Sequence, residues 1–279
     1  MRFSGIWFMK LKELPRSWLT ARRLVHANLN ESTLAQQPIL PLIVSLTSIP
    51  SRLATIHLTI RSLFMQTHRP EKIILWLHED LQSFLPETLT VLVGDVFEIR
   101  YVELTCSHRK LIHALVDYPE SVVVTCDDDL MYNSTWLKRL YDDHVSFPRD
   151  IIAHECRLVN FVSDKPAPYD QWKTQARTNF SEPWLMPIGY GGVLYPTHCL
   201  HSDVQKRDLF LGLTPKADDL WFKAMSYLAG THTRRSSCPG EKPIPIIGSQ
   251  KISLKKTNVK KNGNYEQWLS VCQYYGFQG

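Results

Sequence analysis

The sequence predicts an α/β fold, a mostly parallel sheet with helices on both faces. Three observations carry that expectation. Short runs of apolar residues recur: "ILPLIVSL" at 39–46, "KIILWL" at 72–77 and "SVVVTC" at 121–126. Each is apolar along nearly its whole course, the mark of a strand buried on both faces. Between them lie stretches whose apolar residues recur at helical spacing, so strand and helix alternate as in βαβ units. The chain has 279 residues, 44% of them hydrophobic, enough for one sizeable core.

The elements follow in order. After the run at 39–46 comes the turn-prone "TSIPSR". "LATIHLTIRSLFMQ" then sets Leu53, Ile56, Ile60, Leu63 and Phe64 on one helical face. "FEIRYVEL" at 97–104 alternates and reads as a third strand, after 72–77. "SHRKLIHALVDY" reads as a helix with Ser107 as its N-cap. The fourth strand, 121–126, is followed by a helix capped near Asn133 or Ser134, and "DIIAHECRLV" reads as a further strand. The second half is less regular. It holds a loop over 164–187, the turn "PIGYGGVLYP" at 187–196, a helix "ADDLWFKAMSYLAG" closed by Gly230, and a basic stretch with Lys251, Lys255, Lys256, Lys260 and Lys261. The expected organisation is a basic amphipathic appendage over 1–37, one α/β domain over 38–262 and a C-terminal tail over 263–279.

Composition narrows the function. The formal net charge of +5 suits an anionic ligand. No zinc-finger or RNA-recognition pattern accompanies it, so no nucleic-acid partner is expected. The six cysteines are far apart with no CxxC pair, which reads as reduced thiols and a cytoplasmic setting. No apolar run approaches the roughly 20 residues that span a bilayer. The start, "MRFSGIWFMKLKELPRSWLTARRL", sets an apolar patch at Ile6–Met9 among basic residues and lacks the features of a signal peptide. It reads as an exposed leader, as a peripheral contact with the inner, anionic membrane face, or as a contact with a partner protein.

The most informative stretch is "TCDDDLMY" at 125–132. Three aspartates close the end of a buried strand, where ligands gather in parallel sheets. Adjacent like charges raise one another's pKa unless a cation sits among them. A P-loop nucleotide site would need a GxxxxGK[ST] loop, and the sequence has none. An aspartyl-nucleophile phosphatase usually has a threonine shortly after its Asp-x-Asp, where Leu130 and Met131 stand here. Acids serving only as helix caps are a third reading. The fourth is a cation clamp for a diphosphate. Asp127 and Asp129 project to one side of an extended chain, and Mg²⁺ or Mn²⁺ takes one or two carboxylates plus phosphate oxygens.

At this point the chain resembles the GT-A-type glycosyltransferases that use nucleotide-diphosphate sugars. "TCDDDLMY" resembles their Asp-x-Asp motif. "VSLTSIPSR" is similar to their first strand and nucleotide-cradling loop, and "SLFMQTHRPEKIILWL" to the segment that follows in bacterial members. "GYGGVLYP" and "KADDLWFKAM" resemble the acceptor-side strand and the acidic helix start of inverting members. The resemblance covers most of residues 40–258. It implies a GT-A-like, Rossmann-type fold and a divalent cation, Mn²⁺ or Mg²⁺. It also implies a donor, UDP-sugar being favoured, and a glycan or lipid-linked acceptor, as in surface polysaccharide synthesis. A nucleotidyl- or phosphotransferase with the same clamp, or a non-catalytic glycan- or nucleotide-binding protein, stays open as an alternative.

The resemblance also implies roles. Asp127 would meet the donor and, with Asp129, the cation, while Asp128 supports the pair. Thr47, Ser48, Arg52 and Lys110 are candidates for nucleoside or phosphate contact, the alternatives being turn formation for Thr47 and Ser48 and plain solvation for Arg52 and Lys110. Gly191 and Gly192, beside Tyr190, would let backbone approach the sugar, or form an ordinary turn before a strand. Asp219, or else Asp218, would be the general base, although acids in a first helical turn also cap the helix and complement its dipole. Trp184 and Trp221 could stack on a sugar, a core role being the alternative for Trp221. His198, His201 and His232 are candidates for a third metal ligand.

Overall fold

The computed structural model describes residues 13–29, 31–163, 165–249 and 262–278. Its centre is an eight-stranded sheet. The strands are β1 Ile39–Thr47, β2 Arg69–His78, β3 Phe97–Val102, β4 Val122–Thr125, β5 Ile151–Ala153, β6 Ser181–Glu182, β7 Val193–Tyr195 and β8 Thr233–Arg235. Across the sheet they run β6-β8-β5-β7-β4-β1-β2-β3. β4, β1, β2 and β3 are mutually parallel. β7 is antiparallel to both β4 and β5, β8 is parallel to β5, and β6 is antiparallel to β8. β1 to β5 and β8 therefore share one direction, and the expectation of a mostly parallel α/β sheet holds.

The principal helices are α1 Leu14–His26, α2 Ile56–Phe64, α3 Arg109–Asp117, α4 Trp136–Ser146, α5 Asp218–Leu228 and α6 Gly263–Tyr275. They cover both faces because strand residues alternate in direction. Leu42, Val44 and Leu46 of β1 pack with Ile56, Ile60 and Leu63 of α2 and with Leu137 and Leu140 of α4. Ile43 points the other way, into a core shared with Leu111 of α3, Trp221 of α5 and Trp268 of α6. Each such side chain, fully buried, stabilises by roughly 1.5–3 kcal/mol. This double burial explains why the strands read as unbroken apolar runs.

Three local expectations are corrected. The strand expected over 150–159 divides: β5 ends at Ala153, and Cys156–Leu158 pairs instead with Lys173–Thr174 and Leu185–Pro187 in a separate three-stranded sheet. His154 and Glu155 interrupt the apolar run: buried His154 needs the Trp136 carbonyl as a partner at 3.1 Å, and Glu155 turns out of the sheet, half-buried. Ser107 does not cap α3. His108 takes the N-cap position without a side-chain cap, and Ser107 Oγ donates to Asp218 Oδ1 at 2.8 Å instead, because a charge-assisted bond outcompetes a neutral cap. The residues read as a C-terminal tail form α6, which buries Trp268 and Val271 completely. The patch at Ile6–Met9 and the lysines between 251 and 261 lie outside the described residues.

Candidate active site

All the parallel strands open on one edge, and the first acidic cluster lies there. β4 stops at Thr125, and the next residues turn out of the sheet. The Asp127 side chain is 36% exposed, whereas those of Asp128 and Asp129 are almost buried. Arg52, from the loop after β1, holds both buried carboxylates. Its Nη1 donates to Asp128 Oδ1 at 2.5 Å, and its Nη2 lies 2.9 Å from Asp129 Oδ2. Ser48 Oγ donates to Asp128 Oδ2 at 2.5 Å. The turn itself is fixed by Thr59 Oγ1, which donates to the Asp128 carbonyl at 3.0 Å, and by the Ile246 N–H, which donates to the Asp129 carbonyl at 2.9 Å. Burial pushes the Asp129 carboxyl up to about 7, with Arg52 pulling against it and Asp127 and Asp128 adding to it. Asp128 is raised for the same first reason.

A second acidic pair opens α5. Here the cation is Lys110, near the start of α3 and buried. Its Nζ lies 2.8 Å from Asp218 Oδ2 and donates to Asp127 Oδ1 at 3.4 Å. One ammonium thus links the strand end to the helix start. Burial would lower the Lys110 pKa, but Asp218, Asp127 and Asp219 together raise it well above its ordinary value. Asp218 is held below the usual carboxylate range: burial works against this, and Lys110, His108 and Ser107 outweigh it. Asp219 moves the opposite way, raised by burial and then by the neighbouring charge of Asp218. Asp219 Oδ2 accepts the Gly189 N–H at 3.0 Å. A Cβ on Gly189 would stand 2.8 Å from Asp219 Oδ1 and 3.0 Å from Lys110 Nζ, so only glycine lets this loop pass between them.

Other candidates from the sequence are placed as follows. Thr47 Oγ1 donates to the Trp76 carbonyl at 2.9 Å and accepts from Arg109 Nε, so its hydroxyl builds the loop. Gly191 and Gly192 are buried against protein: a Cβ on Gly191 would meet Glu155 at 3.1 Å, and one on Gly192, at φ +98°, the Trp136 ring at 2.4 Å. Trp221 is fully buried and donates to the Val204 carbonyl at 3.0 Å. Trp184 stacks on Tyr227 with ring centroids 3.9 Å apart. Both tryptophans serve the core. His198 lies against Glu120, and His201 Nδ1 accepts the Asp203 N–H. The Ile151 N–H donates to the His232 carbonyl.

Three neighbours were missed by sequence reasoning. Arg109 ties the first loop down through Thr47 Oγ1 and the carbonyls of Ser48 and Leu104. The Tyr132 hydroxyl accepts the Asp127 N–H at 2.9 Å and lies 3.3 Å from the Tyr190 carbonyl, joining the aspartates to the glycine loop. Glu155 sits beneath Gly191 with its carboxylate 3.6 Å from Lys242 Nζ. Arg109 and Tyr132 were visible as the Arg of "HRK" and the Tyr of "DDDLMY". Nothing local distinguishes Glu155.

The donor set suits a hard divalent cation. Three carboxylates face one guanidinium and a shared ammonium. Hard oxygen donors are what Mg²⁺ and Mn²⁺ take. Among the described residues, no three His, Cys, Asp or Glu side chains form a metal site on their own, so such an ion would draw further ligands from a bound phosphate and water.

No protein-family model matches the chain, and neither does any curated protein. Among solved structures, 4-diphosphocytidyl-2C-methyl-D-erythritol synthase from Anaerococcus prevotii is similar at 12% identity and TM-score 0.43, covering 85% of this chain and 100% of that one. S. aureus TarS 1-349 in complex with UDP is similar at 13% identity and TM-score 0.48, over 73% of this chain and 59% of that one. A second structure of TarS 1-349 gives 15% identity and TM-score 0.46 over the same shares. This chain thus spans about three fifths of the TarS chains. These are distant likenesses of chain trace.

Proposed function

We propose that this protein is a GT-A-type glycosyltransferase that moves a sugar from a nucleotide-diphosphate donor, a UDP-sugar, to a hydroxyl of a glycan or lipid-linked acceptor. The observation that supports this reading is the pairing of two acidic sites across Lys110, one at the carboxyl edge of a parallel sheet and one at a helix start. A donor needs the first and an acceptor hydroxyl needs the second. A divalent cation, when bound by Asp127 and Asp129, would supply positive charge to the diphosphate.

The chain's own residues do the rest. Arg52 keeps Asp128 and Asp129 in place. Lys110 presents a fixed positive charge between donor and acceptor sides. Asp219 takes the proton from the acceptor hydroxyl as its oxygen bonds to the anomeric carbon. The bond from that carbon to the diphosphate breaks, and its electron pair leaves with the diphosphate. A carboxyl raised toward neutrality is a stronger base than an ordinary aspartate, which suits this task.

Calorimetric titration of UDP and UDP-sugars tests the reading. Binding is expected with Mn²⁺ present, lost in EDTA, and weakened in Asp127→Asn. Equal binding in EDTA would remove the cation from the proposal, and no binding of any nucleotide-diphosphate sugar would remove the donor.

A further inference from the structure

The outer face of α1 carries apolar and cationic groups together and no acidic ones. One side of this helix is spent on the fold. Ser17 Oγ donates to the Pro245 carbonyl at 2.7 Å, and Leu24 packs with Leu58, Met131 and Ile246. The rest of the helix surface leaves Trp18 53%, Leu19 59% and Val25 46% exposed. Arg22 and Arg23 are exposed beside them, Arg16 being paired with Glu241 from another segment, and the Arg22 guanidinium lies 5.4 Å from the Trp18 ring centre. No aspartate or glutamate occurs between Leu14 and His26. At about 1.5 Å per residue the helix is roughly 20 Å long, too short to cross a bilayer and long enough to lie along one.

We propose that α1 lies in the plane of an anionic lipid surface, with Trp18, Leu19 and Val25 entering the headgroup region and Arg22 and Arg23 pairing with lipid phosphates. Charge complementarity selects this occupant. A tryptophan and a leucine flanked by arginines, with no acid on the helix, match an apolar layer topped by negative charge. The position of α1 gives the contact a purpose, which rests on the glycosyltransferase reading above. Pro245, which anchors Ser17, pairs with Leu130 directly after the aspartates, and the next residue, Ile246, bonds the Asp129 carbonyl. α1 is therefore joined through Pro245 and Ile246 to the turn that carries the candidate donor-site aspartates, so a membrane held by α1 adjoins that turn.

Co-sedimentation of the full chain with vesicles tests the contact, using phosphatidylcholine with phosphatidylglycerol against phosphatidylcholine alone. The parent is expected to bind the anionic vesicles and to be released by salt. Arg22→Ser with Arg23→Ser should weaken partition by roughly thirtyfold, and Trp18→Ser with Leu19→Ser should abolish it. Arg22→Lys with Arg23→Lys should retain it. Melting temperature, measured on each variant, separates loss of contact from loss of fold. If the tryptophan–leucine variant does not fold, the arginine pair decides. Equal partition of parent and arginine variant overturns the proposal. So does self-association through α1, or capture of a protein, without affinity for vesicles. No donor or acceptor enters the assay, so its outcome is independent of whether UDP binds.

Discussion

The two acidic clusters are built alike and held differently. At the strand end, one guanidinium spans two neighbouring carboxylates, Asp128 and Asp129, and leaves Asp127 open. At the helix start, one ammonium takes Asp218 and leaves Asp219 on a backbone N–H. In each cluster the cation ties carboxylates into the fold and leaves a neighbour less constrained. Arg52 is a fork that can hold two acceptors in a plane, whereas Lys110 is a point charge that can sit between elements. The first arrangement suits holding a multiply charged ligand, and the second suits poising one proton.

The largest effect should come from breaking that division of labour at the helix start. Asp219→Asn keeps an oxygen to accept the Gly189 N–H but cannot take a proton. With Asp219 as base, kcat should fall by roughly 10²–10⁴-fold, while donor affinity and melting temperature hardly move. Asp129→Asn should do the reverse, weakening donor binding more than turnover of bound donor. Steady-state kinetics beside calorimetry distinguishes the two patterns. Activity within a few-fold of the parent in Asp219→Asn would return that residue to helix capping.

Sequence reasoning reached the sheet because doubly buried strands are written as local apolar runs. It reached the aspartates because three adjacent acids are conspicuous wherever they stand. The partners stayed hidden because they are joined only by folding. Nothing near Asp128 points to Arg52, and nothing near Asp218 points to Lys110 or Ser107. The glycines at 191 and 192 looked like room for a sugar, yet the space a Cβ would take is filled by Glu155 and Trp136. The strand at 150–159 was over-extended because His154 and Glu155 were read through as part of an apolar run. Local pattern identifies elements and charges; it does not say which charge is already answered.

Second in size is the loss of the cation that links the clusters. Lys110→Met leaves Asp218 buried with its charge uncompensated, and such removals cost about 3–5 kcal/mol. Denaturant unfolding should register a drop of that order. Asp218→Asn in the same chain should recover much of it. Arg52→Met should cost less, on the order of 1–3 kcal/mol, because burial already raises the pKa of both carboxylates it holds, which eases their taking up a proton once the cation is gone. Equal losses at the two sites would mean that the clusters are held alike after all.

A cation in the same core without a carboxylate ligand sharpens the contrast. Lys223 of α5 is fully buried, and its Nζ donates to Ser226 Oγ at 3.4 Å. Burial pushes its pKa down to about 7 from the ordinary 10.5. Between those values the unfolded chain binds the proton and the folded chain does not, so this group makes stability rise with pH across that window. Lys223→Met should raise the melting temperature at pH 7, by roughly a few kcal/mol of stability, and change little above pH 10.5. A stability loss at pH 7 would show the amine to be held by a partner that matters.

The smallest effect is also the most specific. The Asp219 carboxyl is raised by burial first and by the Asp218 charge second. Its folded pKa lies above the unfolded value, so the folded chain binds more protons in that interval and stability falls as pH rises through it. Activity should run the opposite way, rising with pH as the base loses its proton. Asp218→Asn removes a negative neighbour and should move the acid limb of the kcat profile toward lower pH. It leaves Lys110 and the Gly189 contact to pull in that same direction. A purely structural role for Asp218 would lower stability without moving that limb. A pH–rate profile of parent and variant, taken at saturating donor and acceptor, reads the shift. An unmoved limb would place the titrating group elsewhere, and Glu155, beneath the same glycine loop, would be the next carboxyl to change.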